Sequence, residues 1–295
     1  MNKSSISSSD LKKLREITGA GFLDCKEALE SSDANIEKAI DFLRKKGIST
    51  AKKKGERSAK EGLIAISKNS TSTEASIIEV NSETDFVARN EDFQNFTSNI
   101  SNINLNQKGN LENLMNSKYV NSNDKVSDEL TNLISKIGEN LTIRRAKYIT
   151  IDGGLIGTYV HNIEKDNMGK IGVLVSIKTD IENSQLDDFL KKISMHIAAA
   201  NPISVNEKNI DQDIISKEKN FYLEEIKKSG KEKNIQDKML EGKMKKFYAD
   251  VVLLEQNFVI DDKIKIKEFV ENTSKELNGS INIIEFTRFK VGEEI

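Results

Sequence analysis

The chain has 295 residues, enough for two or three domains and at least one sizeable core. Charged residues make up 31% and hydrophobic residues 37%, the balance of an ordinary soluble globular protein, and no apolar run reaches the roughly 18 residues that cross a bilayer. A formal net charge of −2 argues against a chain built mainly to hold nucleic acid, and the single cysteine, Cys25, excludes an internal disulfide framework. The opening MNKSSISSSDLKKL lacks the apolar segment of a secretory signal, so a cytoplasmic protein that does not enter a membrane is expected.

The first expected elements are three short helices. Asp10 is placed to cap the first, with Leu11, Leu14 and Ile17 on one side, and Gly19 and Gly21 of TGAGF allow a tight turn. Asp24 is placed to cap the second, with Glu27 three residues on to close a capping box, and Cys25 reads as a small buried apolar residue. In the third, Ile36, Ala39, Ile40 and Leu43 fall at i, i+3, i+4 and i+7, and Gly47 stands at the expected stop. A segment of about 50 residues buries little, so 1–50 reads as a small docking module. Residues 1 to 60 carry 14 Lys and Arg against 9 Asp and Glu, with the densest run at AKKKGERSAK. No aromatics are interleaved there for base stacking, so 51–61 reads as a solvated basic linker, and direct nucleic-acid binding is not expected.

Beyond the linker the chain repeats a plan. GLIAIS (62–67) followed by ASIIEVNSETD (75–85) has the layout of GLIGTYV (154–160) followed by KIGVLVSIKTD (170–180), each pair reading as two strands joined by a polar hairpin. A helix follows each pair, carrying Phe93, Phe96 and Ile100 in the first copy and Leu186, Leu190, Ile193 and Ile197 in the second. Each copy has a later strand, LTIRRAKYITI and INIIEFTRFKV, and the first has a further helix with Leu130, Leu133, Ile134 and Ile137. Antiparallel strands backed by helices on one face make an α+β class, here duplicated as two related subdomains, 62–152 and 153–208, the second completed by 248–295. The excursion at 209–247 has two charged helical stretches broken by Gly230. Their thin stripes, Ile214, Phe221 and Ile226 on one and Ile235 and Met239 on the other, suit an antiparallel helical hairpin projecting from the body. The only proline, Pro202, ends the preceding helix. The Asn- and Ser-rich stretch 101–128 reads as a variable connection.

Catalytic constellations are missing from this inventory. Phosphate-loop and dinucleotide fingerprints are absent, as is a nucleophile elbow, and His161 and His196 have no Cys or His at metal spacing. No cofactor is implied, and His196 beside an apolar helix face reads as a satisfied, partly buried histidine. Carboxylate catalysis stays open, since Asp and Glu are everywhere. The stretch EVNSETDFVARNEDF (79–93) is different: Phe86 and Val87 sit in a polar connection between a strand and a helix, where apolar groups are normally shed.

LREITGAGFLDCKEALE, EVNSETDFVARNEDF, KIGENLTIRR, MHIAAANP and EGKMKKF occur in the order found in bacterial elongation factor Ts, and over essentially its whole length the chain resembles that family. The resemblance implies a ubiquitin-associated-like domain at 1–50, a two-part core and a helical coiled-coil hairpin. It also implies a guanine-nucleotide exchange factor for elongation factor Tu, not an enzyme of covalent chemistry. In similar proteins the segment matching Thr84, Asp85, Phe86 and Val87 enters the partner's G domain and displaces the residues that support Mg²⁺. By the same resemblance Arg15, Phe22 and Leu23 dock on that G domain and His161 packs on the partner's far domain. Many relatives have Met where this chain has Phe22 and Leu23, and several continue past the residues matching FKVGEE with a further contacting helix. Two such complexes joined through the helical hairpin are an assembly the resemblance allows. From other classes stand a protein-interaction adaptor using the helical module and an RNA-binding accessory factor using the 51–60 run.

Overall fold

The computed structural model describes residues 6–294, so the first five positions of the expected 1–50 module and Ile295 lie outside it. Three helices come first: α1 (Ser8–Thr18), α2 (Phe22–Ser31) and α3 (Ile36–Lys54), which enclose Leu14, Cys25, Ala28, Leu29 and Ala39. A hairpin of β1 (Glu61–Lys68) and β2 (Glu74–Ser82) leads through the single turn α4 (Asp85–Ala88) into α5 (Glu91–Asn106), α6 (Leu111–Asn116), α7 (Val126–Ile137) and β3 (Thr142–Thr150). The second half repeats the plan with β4 (Gly154–Lys165), β5 (Met168–Thr179) and α8 (Asp187–Ala200). After it come α9 (Gln212–Lys227), α10 (Lys233–Val251), α11 (Ile266–Glu276) and β6 (Ile281–Lys290). The expected α+β class is the observed one.

All strand pairs are antiparallel, in the order β3-β2-β1-β5-β4 with β6 on β5. β1 and β5 share only the pairs Ile64–Gly169 and Ala65–Met168, so the sheet is two three-stranded units hinged at one corner. Strand alternation shows how they close. Leu63, Ala65, Ile78 and Val80 pack with Phe93, Phe96, Ile100 and Leu133 from the helices of the first half. Val173, Val175 and Ile177 do the same with Phe189, Ile193 and Ile197 of α8. The opposite faces, Ile64, Ile66, Ala75 and Ile77 on one unit and Ile156, Leu174 and Phe289 on the other, meet each other. The layers therefore run helix, sheet, sheet, helix, and the inner strands are buried on both sides. Gly172 lies at this seam, where a Cβ would come 2.6 Å from Ile64 Cγ2.

Several local expectations are corrected. Ser7, not Asp10, caps α1: its hydroxyl oxygen accepts the Asp10 N–H at 3.0 Å. Ile17 is 54% exposed instead of facing the module's core. Gly21 precedes α2, and the expected capping-box pair Asp24 and Glu27 both receive Lys46 Nζ from α3, at 2.8 and 2.5 Å. Gly47 does not stop α3, which continues four residues into the expected linker to Lys54. The glycine serves packing instead: a Cβ there would lie 3.0 Å from Ser135 Oγ of α7. Arg44 pairs with Asp128 at 3.0 Å, and Lys54 Nζ donates to the Gly138 carbonyl that ends α7, so α3 lies along that helix. The 101–128 stretch is not a bare connection, since α5 runs to Asn106 and Asn110 caps α6 with Leu114 buried.

α9 and α10 pack on each other, with Lys243 Nζ 2.9 Å from Glu225 Oε2, but the expected stripes are met only in part: Ile226 is buried and Met239 half-buried. Phe247, Ile226, Ile215, Tyr222, Met244 and Tyr248 face inward, whereas Ile214, Phe221 and Ile235 face solvent. The inward α9 set, Ile215, Tyr222 and Ile226, has i, i+7, i+11 spacing, one position around from Ile214 and Phe221. Asn201 adopts a left-handed conformation (φ 47°) to close α8, and Pro202 follows it.

Candidate functional site

At the end of β2 the chain leaves the core for one helical turn. Phe86 is 78% exposed while its neighbours Val87 and Ala88 are buried. A single turn has one inward side, and Val87 and Ala88 occupy it in the core under α5. Of the stretch Thr84–Val87, Asp85 and Phe86 are presented outward and Val87 is the anchor.

The turn is braced from both ends. Ser82 Oγ donates to the Thr84 carbonyl at 2.8 Å, and Gln94 Nε2 donates to the Ala88 carbonyl at 2.9 Å. The Arg89 and Asn90 N–H groups return to the carbonyls of Phe86 and Val87, and Asn90 caps α5 through the Phe93 N–H. Behind the turn, Glu139 accepts the Thr84 N–H at 2.9 Å and its hydroxyl at 2.7 Å. The next residue, Asn140, donates its N–H to Glu83 Oε1 at 2.6 Å and its amide to the Arg57 carbonyl at 2.7 Å. Beside the ring lies an open depression of about 410 Å³, edged by Asn90, Ile137, Glu139 and the ion pair Lys136–Asp92 at 2.8 Å.

The second half contains the same sequence corner in another state. Thr179, the last residue of β5, is followed by Asp180 and Ile181 as Thr84, just past β2, is followed by Asp85 and Phe86, but Ile181 is buried and packs with Phe189 and Leu186. There Asp180 accepts the Ser280 N–H at 2.6 Å, and this bond first, with the Ser280 hydroxyl, holds its carboxyl below the usual range. The corner can bury its apolar residue; in the first half it does not.

The remaining candidates lie on other elements. Arg15 is exposed on α1, and Phe22 and Leu23 open α2 with 53% and 77% exposure. Ile17 joins them as an exposed apolar residue of the same module; its i+3 spacing from Leu14 concealed it. His161 is exposed on β4, with Nδ1 3.0 Å from the Tyr159 hydroxyl. A contact of Arg89 with Glu164 at 3.7 Å links the Phe86 turn to the end of that strand. Glu139 had a signal in the sequence, the block KIGENLTIRR, yet nothing there connects it to a residue 55 positions earlier.

His196 is fully buried, further than expected. Its Nε2–H donates to Gln256 Oε1 at 2.9 Å and its Nδ1 accepts the Val259 N–H at 3.3 Å, so the neutral ring is satisfied on both sides. Burial pushes its pKa below the ordinary histidine value. Cys25 is buried too, and burial pushes its thiol up.

The family model described as "Elongation factor TS" matches residues 83–293. A protein named "Elongation factor Ts" from Rickettsia bellii is 44% identical over 296 residues, spanning 100% of this chain and 94% of the relative. Proteins of the same name from Rickettsia felis and Rhodospirillum centenum are 43% and 41% identical, spanning 100% and 98% of this chain and 94% of each relative. The chain belongs to the elongation factor Ts family.

Proposed function

We propose that the chain is a guanine-nucleotide exchange factor for elongation factor Tu in translation elongation, working in the cytoplasm without covalent chemistry of its own. It binds the GDP-loaded partner, presents Asp85 and Phe86 to the G domain, and stays bound until GTP enters. The observation that carries this reading is a phenylalanine held 78% exposed on a turn braced from three sides, in a chain of this family. Thr84 and Val87 serve as the two feet of the turn. Wedging the ring between partner helices disturbs the residues that support Mg²⁺, often the largest local charge in a phosphate site, and the diphosphate loses its compensation.

Magnitudes limit what the ring does alone. Burying one phenylalanine contributes about 1.5–3 kcal/mol, or roughly 10- to 150-fold in rate or affinity. The remainder comes from a wider interface, in which Arg15, Phe22 and Leu23 of a ubiquitin-associated-like module (1–50) dock on the G domain and His161 packs on the far domain. In this plan 51–61 links the module to the core, 62–152 and 153–208 with 248–295 form the two subdomains, and 209–247 is a projecting hairpin through which two complexes pair. Linkage fixes the cycle: if this chain weakens GDP binding by some factor, GDP weakens binding of this chain by the same factor.

Release of a fluorescent GDP analogue from elongation factor Tu tests the reading. The intact chain accelerates release, and Phe86→Ala loses roughly 10- to 150-fold of that acceleration. Release that is no faster with the intact chain refutes the function; equal acceleration by both proteins refutes the wedge.

A further inference from the structure

We infer that Glu139 is a positioning residue for exchange: its carboxylate fixes Thr84 and thereby the direction in which Phe86 is presented. This rests on the exchange reading above. A four-residue helix has too few internal hydrogen bonds to hold its own shape, because helix nucleation is unfavourable. Its start must be held from outside. Thr84, the residue before α4, is a natural cap, yet its hydroxyl donates to Glu139 Oε1 at 2.7 Å, while its N–H donates to Glu139 Oε2 at 2.9 Å. Both oxygens of one carboxylate thus grip both donors of one residue, and hydrogen bonds to an ionised acceptor are the stronger kind.

Glu139 is itself held. Gly138 closes α7 in a left-handed conformation (φ 84°) and its carbonyl takes Lys54, while Asn140 is tied to Glu83 and to the Arg57 carbonyl. Glu139 and Asn140 therefore grip two consecutive residues, Thr84 and Glu83, at the root of the turn. Val87 and Ala88 fix the far side by burial. Without the carboxylate, the Thr84 N–H and hydroxyl lose the partner they share, Thr84 itself is held by the Ser82 bond to its carbonyl, and the ring, anchored next to Val87, sweeps a wider range of directions. Such a change lowers the fraction of encounters that insert the ring correctly and leaves the rest of the interface intact.

The test is release of a fluorescent GDP analogue from elongation factor Tu over a range of factor concentrations, with thermal unfolding of each protein alongside. Glu139→Ala slows release at saturating factor about tenfold, with the half-saturating concentration nearly unchanged. Glu139→Gln, which keeps one acceptor oxygen, falls between. In the Phe86→Ala background the same Glu139→Ala change has no further effect, because it acts through the ring. Thr84→Val, which removes only the hydroxyl donor, slows release in the same way and Thr84→Ser restores it, so the answer does not depend on Glu139→Ala folding. Full-speed release by Glu139→Ala and Thr84→Val overturns the inference, as does an equal loss with and without the Phe86 ring. If the intact chain does not accelerate release, the exchange reading itself falls and the positioning role with it.

Discussion

Glu79 joins the two halves of the sheet at their rim, and replacing it with glutamine tests that joint. Its buried carboxylate receives Arg145 Nε at 2.5 Å, Arg144 Nη1 at 3.1 Å, Asn81 Nδ2 at 3.0 Å and the Gly292 N–H at 2.8 Å. Burial opposes the charge, but the Gly292 N–H, Asn81 and Arg145 outweigh it and hold the carboxyl below its usual range. Gly292 lies just past β6, and Arg145 also donates to the Lys290 carbonyl and stacks 4.1 Å over the Phe289 ring. A residue of the second strand thus carries the end of the last one. Glu79→Gln keeps the shape and one acceptor but leaves two guanidinium groups facing a neutral amide. Removing one member of a fully buried pair costs about 3–5 kcal/mol. The arginines keep 27% and 17% of their side-chain exposure, so water relieves part of this, and urea unfolding at pH 7 is expected to show a loss of about 2–3 kcal/mol. The sign of the pH dependence follows from the depressed carboxyl. Its contribution is complete above the unfolded value near 4.5 and is lost as pH falls through the native value, so the two proteins converge in acid. A variant with the wild-type urea midpoint at pH 7, or a gap that persists unchanged in strong acid, refutes this account of the joint.

Two further outcomes concern the core. His196 is held neutral by burial, with its native pKa below the unfolded value of 6.5. Its share of stability is therefore complete above about 6.5 and declines as pH falls, because the unfolded chain takes up the proton first. Melting temperatures between pH 8 and 5 will fall more steeply for the wild type than for His196→Gln; parallel curves contradict the buried neutral ring. Gly172→Ala puts a methyl group 2.6 Å from Ile64 Cγ2 and 2.9 Å from Ile77 Cδ1, and overpacking of this kind costs about 1–3 kcal/mol in denaturant unfolding. Undiminished stability contradicts the face-to-face closure of the two sheets.

Strands and long helices were legible because one element decides their pattern. The continuous apolar run of β1 and the i, i+3, i+4 spacing of α7 are both local patterns, and both elements formed where expected. Errors fell where a distant element intervenes. Gly47 has the form of a helix stop and is instead the contact of α3 with α7, some 90 residues later. Asp24 and Glu27 have capping-box spacing, but Lys46 from another helix takes both. On α9 two stripes a single position apart look equivalent until α10 covers one. The face-to-face packing of the two sheets was hidden for a related reason: strands buried on both sides read as plain apolar runs, and which layer lies on the second side is not a local property. At the candidate site Phe86 stood out as an apolar residue in a polar connection, whereas Glu139 is polar in a polar loop and became visible only through its distances to Thr84.

The two copies of the strand-to-helix corner also show why an exposed ring here is not a packing accident. An apolar side chain on a loose loop folds onto the nearest apolar surface, and burial of this kind contributes about 1.5–3 kcal/mol. Ile181 makes that choice. Phe86 cannot, because Val87 and Ala88 already fill the inward side of a turn too short to have another, and because Glu139 and Gln94 hold both ends of that turn in place. The ring therefore keeps its unfavourable hydration in the free protein, and its burial becomes available at an interface. Since its backbone is ordered before any encounter, the side-chain ordering that docking would cost is about 0.5–1.5 kcal/mol, so roughly half of the burial term would be left for the proposed wedge.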